Sequence, residues 1–147
     1  MHVIDFLKSF VRVRFVPSMK RDGEWVASPG QIILYGFDSN KKSVAVLIVL
    51  LHELGHAWHN HHLSIPEAFG FSNPKLTYRR EQEAWSWAKT TLRELGLLGK
   101  YGSWFLKIQH AALQSYTQDL HQYPYTEPSK VQIILQEADQ ILVTSVM

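Results

Sequence analysis

Eight consecutive apolar residues, Val44-Ala45-Val46-Leu47-Ile48-Val49-Leu50-Leu51, run without a break into His52-Glu53-Leu54-Gly55-His56-Ala57-Trp58-His59. An octet with no polar side has to be surrounded by protein, and its β-branched members would suit a buried strand as well as a helix. The continuation beyond Leu51 without proline favours a helix of about four to five turns, N-capped by Ser43 and ending near Asn60. A membrane span needs about 20 apolar residues, so the segment is predicted to be a buried core helix.

The polar end of this helix carries the chemistry. At about 100° per residue, His52 and His56 point the same way and their ring nitrogens can share one ion. Glu53 sits about a quarter-turn aside, outside the ligand set but within reach of a water on that ion, where a general base must be. H-E-x-x-H on a helix is the signature of zinc-dependent hydrolases. Zinc suits the site because it accepts neutral imidazole and carboxylate, and it brings a bound water to a pKa of roughly 7.

A third ligand has three candidates. The segment Thr77–Leu95, with Pro74 shortly before it and Gly96 after it, is predicted to be a second helix of about five turns. Thr77, Ala84, Ala88, Leu92 and Leu95 share one side of it with Glu81, whereas Glu83 falls beside Trp87. A carboxylate on an apolar face is costly unless it meets a cation or a metal, which favours Glu81 and leaves Glu83 open. His62 follows His52 by ten residues, the metzincin spacing of a third histidine. Against it, His59 stands where that pattern needs a turning glycine, and Met1, Met19 and Met147 supply no Met-turn. His59, His61 and His62 are otherwise expected to form a solvated helix end.

The two segments together resemble the ImmA/IrrE-type zinc metallopeptidases. H-E-L-G-H after an apolar helix matches their first motif, and Glu81, Ala84, Trp87 and Ala88 match the ligand glutamate, first alanine, phenylalanine and second alanine of their E-x-x-A-N-x-F-A pattern. The resemblance, spanning roughly residues 10 to 95, independently selects Glu81. Trp85 stands where that family has asparagine, and Leu-Leu-Met-Pro does not follow Ala88. What the resemblance implies is an intracellular protein substrate, often a transcriptional repressor.

A chain of 147 residues with 46% apolar composition can form one domain with a sizeable core. The expected organisation is a single domain over 1–147, with a core at 10–98 and a helical extension at 103–147. The absence of cysteine excludes disulfides and thiolate zinc sites. A net charge of +2, with bases scattered among acids, gives no nucleic-acid stripe, and the first ten residues lack the layout of a signal peptide. A cytoplasmic protein without membrane or nucleic-acid partners is expected.

The fold class predicted is α+β, a small zincin-like domain. A short first helix leads into Val11–Val16, a half-exposed strand. Asp22-Gly23 signals a turn before Glu24–Ala27, and Pro29-Gly30 another before Gln31–Tyr35, giving a three-stranded antiparallel sheet packed on the H-E-x-x-H helix. Gln31–Phe37 is expected either to be a core strand or to hold substrate as an added strand at a sheet edge. A helix through Leu106–Tyr116, a rigid connector at Tyr123–Pro128 and a final helix over Ser129–Val143 complete the chain, with Trp85, Trp87 and Trp104 as core or pocket wall.

The function expected is a zinc endopeptidase: His52, His56 and Glu81 as ligands, Glu53 as base, and Tyr78 or His110 as candidate stabilisers of the oxyanion. The competing reading is a non-catalytic protein whose zinc ties two helices together while its aromatic surface or last helix binds a partner. A purely structural site has no need of Glu53.

Overall fold

A computed structural model describes residues 1–62, 74–121 and 130–146. In these the order is α1 (Val3–Lys8), β1 (Arg12–Val16), β2 (Asp22–Val26), β3 (Gln31–Tyr35), α2 (Val44–His62), α3 (Pro74–Glu94), α4 (Leu98–His121) and α5 (Lys130–Ala138). The α+β class is as expected.

The apolar octet forms the first half of α2, and every residue from Ser43 to Leu51 is buried. Ser43 caps it: its Oγ accepts a hydrogen bond from the Val46 N–H at 3.1 Å. Burying side chains of this kind contributes about 1.5–3 kcal/mol each before entropy is subtracted. The helix lies at the centre because it has no side to give to water, and α1, β2, β3, α3, α4 and α5 all pack on it.

The sheet is mixed, in the order β1-β3-β2, which corrects the expected antiparallel sheet. β1 runs parallel to β3 from Arg12↔Gln31 to Val16↔Tyr35, and β2 runs antiparallel to it from Asp22↔Tyr35 to Val26↔Gln31. The chain leaving β1 must therefore cross the end of β3 to reach β2. Gly36 makes room for the crossing: at φ +76° a side chain would be strained, and an added Cβ would come within 2.3 Å of the Lys20 carbonyl oxygen. Asp22 and Gly23, which read as a turn in the sequence, begin β2.

β3 holds the centre of the sheet with both edges bonded, and Ile32 and Leu34 enter the core with α2. It offers no free edge for a substrate strand, so of the two expectations for Gln31–Phe37 the core strand holds. The edge strand that packs on α2 is β2.

Gly96, at φ +75°, stops α3 as expected, and its N–H donates to the Arg93 carbonyl at 2.9 Å. The last helix ends at Ala138, short of Val143. Beyond it the chain lies along the start of α2: the Val44 N–H donates to the Ile141 carbonyl and the Val143 N–H to the Lys42 carbonyl, both at 2.8 Å. Asp139 anchors this return. It is 4% exposed, accepts from the Ser43 hydroxyl at 2.6 Å and from Arg21 Nε at 3.1 Å, and has Lys41 Nζ at 3.9 Å. The connector at Tyr123–Pro128 lies outside the described residues. No helix among the described residues is long and apolar enough to cross a membrane.

Candidate metal centre

His52 and His56 leave α2 one turn apart and meet Glu81 of α3. His52 Nε2 lies 2.7 Å from Glu81 Oε2, and His56 Nε2 lies 3.0 Å from Glu81 Oε1. One donor atom from each residue can be chosen so that all three lie within 4.8 Å of one another. Two imidazole nitrogens and a carboxylate oxygen are a donor set that zinc accepts with its fourth position left to water. The atoms that meet here are those an ion would take, so the residues fit the group.

Three close approaches build this geometry. Gly55, between the two histidines, lies against α3, where an added Cβ would come within 2.6 Å of the Ala84 carbonyl oxygen. The helices can cross this tightly only because both contact residues are small, and the crossing brings Glu81 opposite His52 and His56. Trp85, 2% exposed, stacks on His52 with ring centroids 4.2 Å apart and planes 12° apart, and is backed edge-on by Phe105 of α4 at 5.4 Å. The indole thereby restricts rotation of the His52 ring. Gly23 of β2 meets α2 from another direction. A Cβ there would lie 2.5 Å from Val49 Cγ1 and 2.9 Å from Glu53 Cγ, so only glycine lets the strand pass this close.

Glu53 is 4% exposed; its Oε2 is buried without a hydrogen-bond partner, and its Oε1 is 3.8 Å from His52 Nδ1, too long for a hydrogen bond. Burial pushes its carboxyl above the usual range, against the pull of His52 and His56. Glu81 goes the other way. Burial opposes its ionisation, but hydrogen bonds from His52 and His56 and their charges hold it well below the usual carboxylate range. For His56 burial would lower the pKa, and the hydrogen bond to Glu81 and its charge prevail and raise it. The two acids of one site are thus driven in opposite directions, one toward holding a proton and one toward giving it up.

Of the residues singled out in the sequence, His52, Glu53, His56 and Glu81 come together. Glu83 does not join them; it pairs with Arg79 Nε at 3.2 Å on the outer side of α3. The side chains of His61 and His62 lie outside the described residues. His110 is exposed on α4, and Tyr78 is half-buried three residues before Glu81. Trp85 is buried, in keeping with a core or pocket-wall residue, and its contact with His52 is additional. Gly23 escapes sequence reasoning, since Asp-Gly reads as a turn and only the close approach of a helix from a distant part of the chain gives the glycine its purpose. Comparison with known protein families, with curated proteins and with solved structures found no match for this chain.

Proposed function

We propose that the chain is a zinc-dependent metallopeptidase with a zincin-like arrangement, in which His52, His56 and Glu81 hold Zn2+ and Glu53 is the general base. The observation that carries this reading is the meeting of both His Nε2 atoms with Glu81 beside a buried carboxylate that has an unpartnered oxygen. Buried acids are normally paired, and one left open next to a ligand set is suited to handling a proton.

When bound, zinc would lower the pKa of a water to about 7 and polarise the carbonyl of the scissile peptide bond. Glu53 takes the proton of the attacking water on its unpartnered Oε2 and passes it to the leaving nitrogen. Glu81 is held toward its ionised form by the two histidines, the form a metal ligand needs. The stacked indole of Trp85 keeps His52 in one orientation. The outer edge of β2, which pairs with no further strand among the described residues and lies next to Glu53 through Gly23, is suited to hold an extended peptide as an added strand. The resemblance to ImmA/IrrE-type peptidases points to an intracellular protein substrate such as a transcriptional repressor, and to a cytoplasmic setting.

The test uses purified protein with its metal content measured, incubated with unstructured protein substrates. About one zinc per chain is expected, with cleavage that chelator abolishes and zinc restores. Glu53→Gln should keep the metal and lose activity. A protein that binds zinc, cleaves nothing and behaves identically after the Glu53→Gln substitution is the non-catalytic, partner-binding alternative.

A further inference from the structure

Arg80 immediately precedes Glu81 on α3 and is half-buried. Its Nε and Nη2 are both buried, and neither has a hydrogen-bond acceptor. A guanidinium presents its N–H groups in a rigid planar fork, and two of them along one edge can take both oxygens of a carboxylate. A charged donor that has lost water and gained no acceptor is costly, so such a group is an unusual thing for a fold to carry. Two other arginines show the contrast: Arg21 Nε reaches Asp139 at 3.1 Å and Arg79 Nε reaches Glu83 at 3.2 Å. Arg80 is the chain neighbour of Glu81, whose carboxylate meets His56 Nε2 at 3.0 Å.

We propose that Arg80 is a substrate-binding residue whose Nε and Nη2 take a carboxylate of the peptide, so that the site selects substrates with an acidic side chain or a free C-terminus near the bond to be cut. This rests on the metallopeptidase reading above. The donors already lack both water and an acceptor in the free protein, so a neutral peptide leaves them as they were, and selectivity arises from the two charge-assisted hydrogen bonds that only a carboxylate adds. Both sources of carboxylate satisfy the same donors, and they differ in where the charge sits along the peptide. Lysine in place of arginine would keep the charge and lose the two parallel donors.

The experiment uses zinc-loaded Glu53→Gln protein, which would bind peptide without cutting it. Random octapeptide libraries are made with either a free or an amidated C-terminus, and with or without Asp and Glu; retained peptides are identified by mass spectrometry and titrated singly. The expected result is preferential retention of carboxylate-bearing peptides. Arg80→Met in the same background should weaken their binding about 10- to 100-fold while leaving neutral peptides unchanged, and Arg80→Lys should restore only part of it. Preference for the free acid over the amide assigns the carboxylate to the C-terminus; preference for Asp or Glu in both end forms assigns it to a side chain. Should Arg80→Met fail to fold, as shown by lost zinc and a lost thermal transition, Arg80→Lys carries the test alone through reduced carboxylate preference. Retention of peptides without regard to carboxylate, or a preference untouched by either variant, overturns the role of Arg80 and leaves the peptidase reading standing. If the zinc-loaded protein retains no peptide of any kind, both fall.

Discussion

Asp139 and Glu53 are both carboxylates only 4% exposed, one set against the start of α2 and the other midway along it, and the fold treats them differently. Asp139 has a hydroxyl, a guanidinium and an ammonium around it, and its hydrogen bond from Ser43 ties the C-terminal segment to the helix cap. Glu53 has an oxygen with no partner and a pKa raised chiefly by burial. The helix thus has a finished start and an open middle. A fold that fully satisfies one buried acid and leaves another bare beside two histidines and a glutamate separates holding the structure together from the proposed proton transfer.

Substitution at each acid should expose this division of labour, with the largest effect at the open one. Glu53→Gln should lower the proposed peptidase activity by about 10²- to 10⁴-fold, as for loss of a general base, while leaving the denaturation midpoint unchanged or slightly raised, because a neutral amide is cheaper to bury than a carboxylate. Asp139→Asn should do the reverse. It leaves Arg21 and Lys41 without their anion and should cost about 3 kcal/mol in urea unfolding, with His52, His56 and Glu81 undisturbed. If Glu53→Gln destabilises as much as Asp139→Asn, the open acid is structural after all.

Gly55→Ala should follow, at about 1–3 kcal/mol, because its methyl meets the Ala84 carbonyl and pushes α3 away. Its diagnostic feature is a fall in zinc affinity out of proportion to the lost stability, since Glu81 moves with α3. Equal zinc binding by this variant would mean that the helix crossing does not set the ligand geometry.

Much of the open site is legible in the sequence. The octet has no polar side, so α2 has to be central, and the Ser43 cap and the His52/His56 spacing follow from local chemistry. Helical position favours Glu81 over Glu83, and Glu83 is indeed paired outside with Arg79. The finished start of the helix is not legible. Asp139 meets residues 96 and 118 positions away in sequence, and nothing local says that the chain must leave its last helix at Ala138 to reach them. The strand order is hidden for the same reason: it depends on Lys20 crossing Gly36, a contact that alternation of apolar residues does not encode.

The smallest effect expected is a pH dependence of the metal-free protein. Glu81 is held below its ordinary 4.5, so its contribution is present above that pH and is lost as pH falls through the lower folded value. His56 is raised above its ordinary 6.5, so its contribution is complete below that pH and is lost as pH rises through the higher folded value. The stabilisation from the pair should therefore be greatest between about 4.5 and 6.5. Urea midpoints of the wild type and Glu81→Gln should converge on the alkaline side; a constant gap at all pH values would rule out the pairing as its source.

That His52, His56 and Glu81 together hold the metal is the central claim, and zinc affinity measured by chelator competition tests it most directly. A large loss is predicted for Glu81→Ala, at least about 100-fold, with little change for Glu83→Ala or His62→Ala. Retention of wild-type affinity by Glu81→Ala, or an equal loss in His62→Ala, would contradict it.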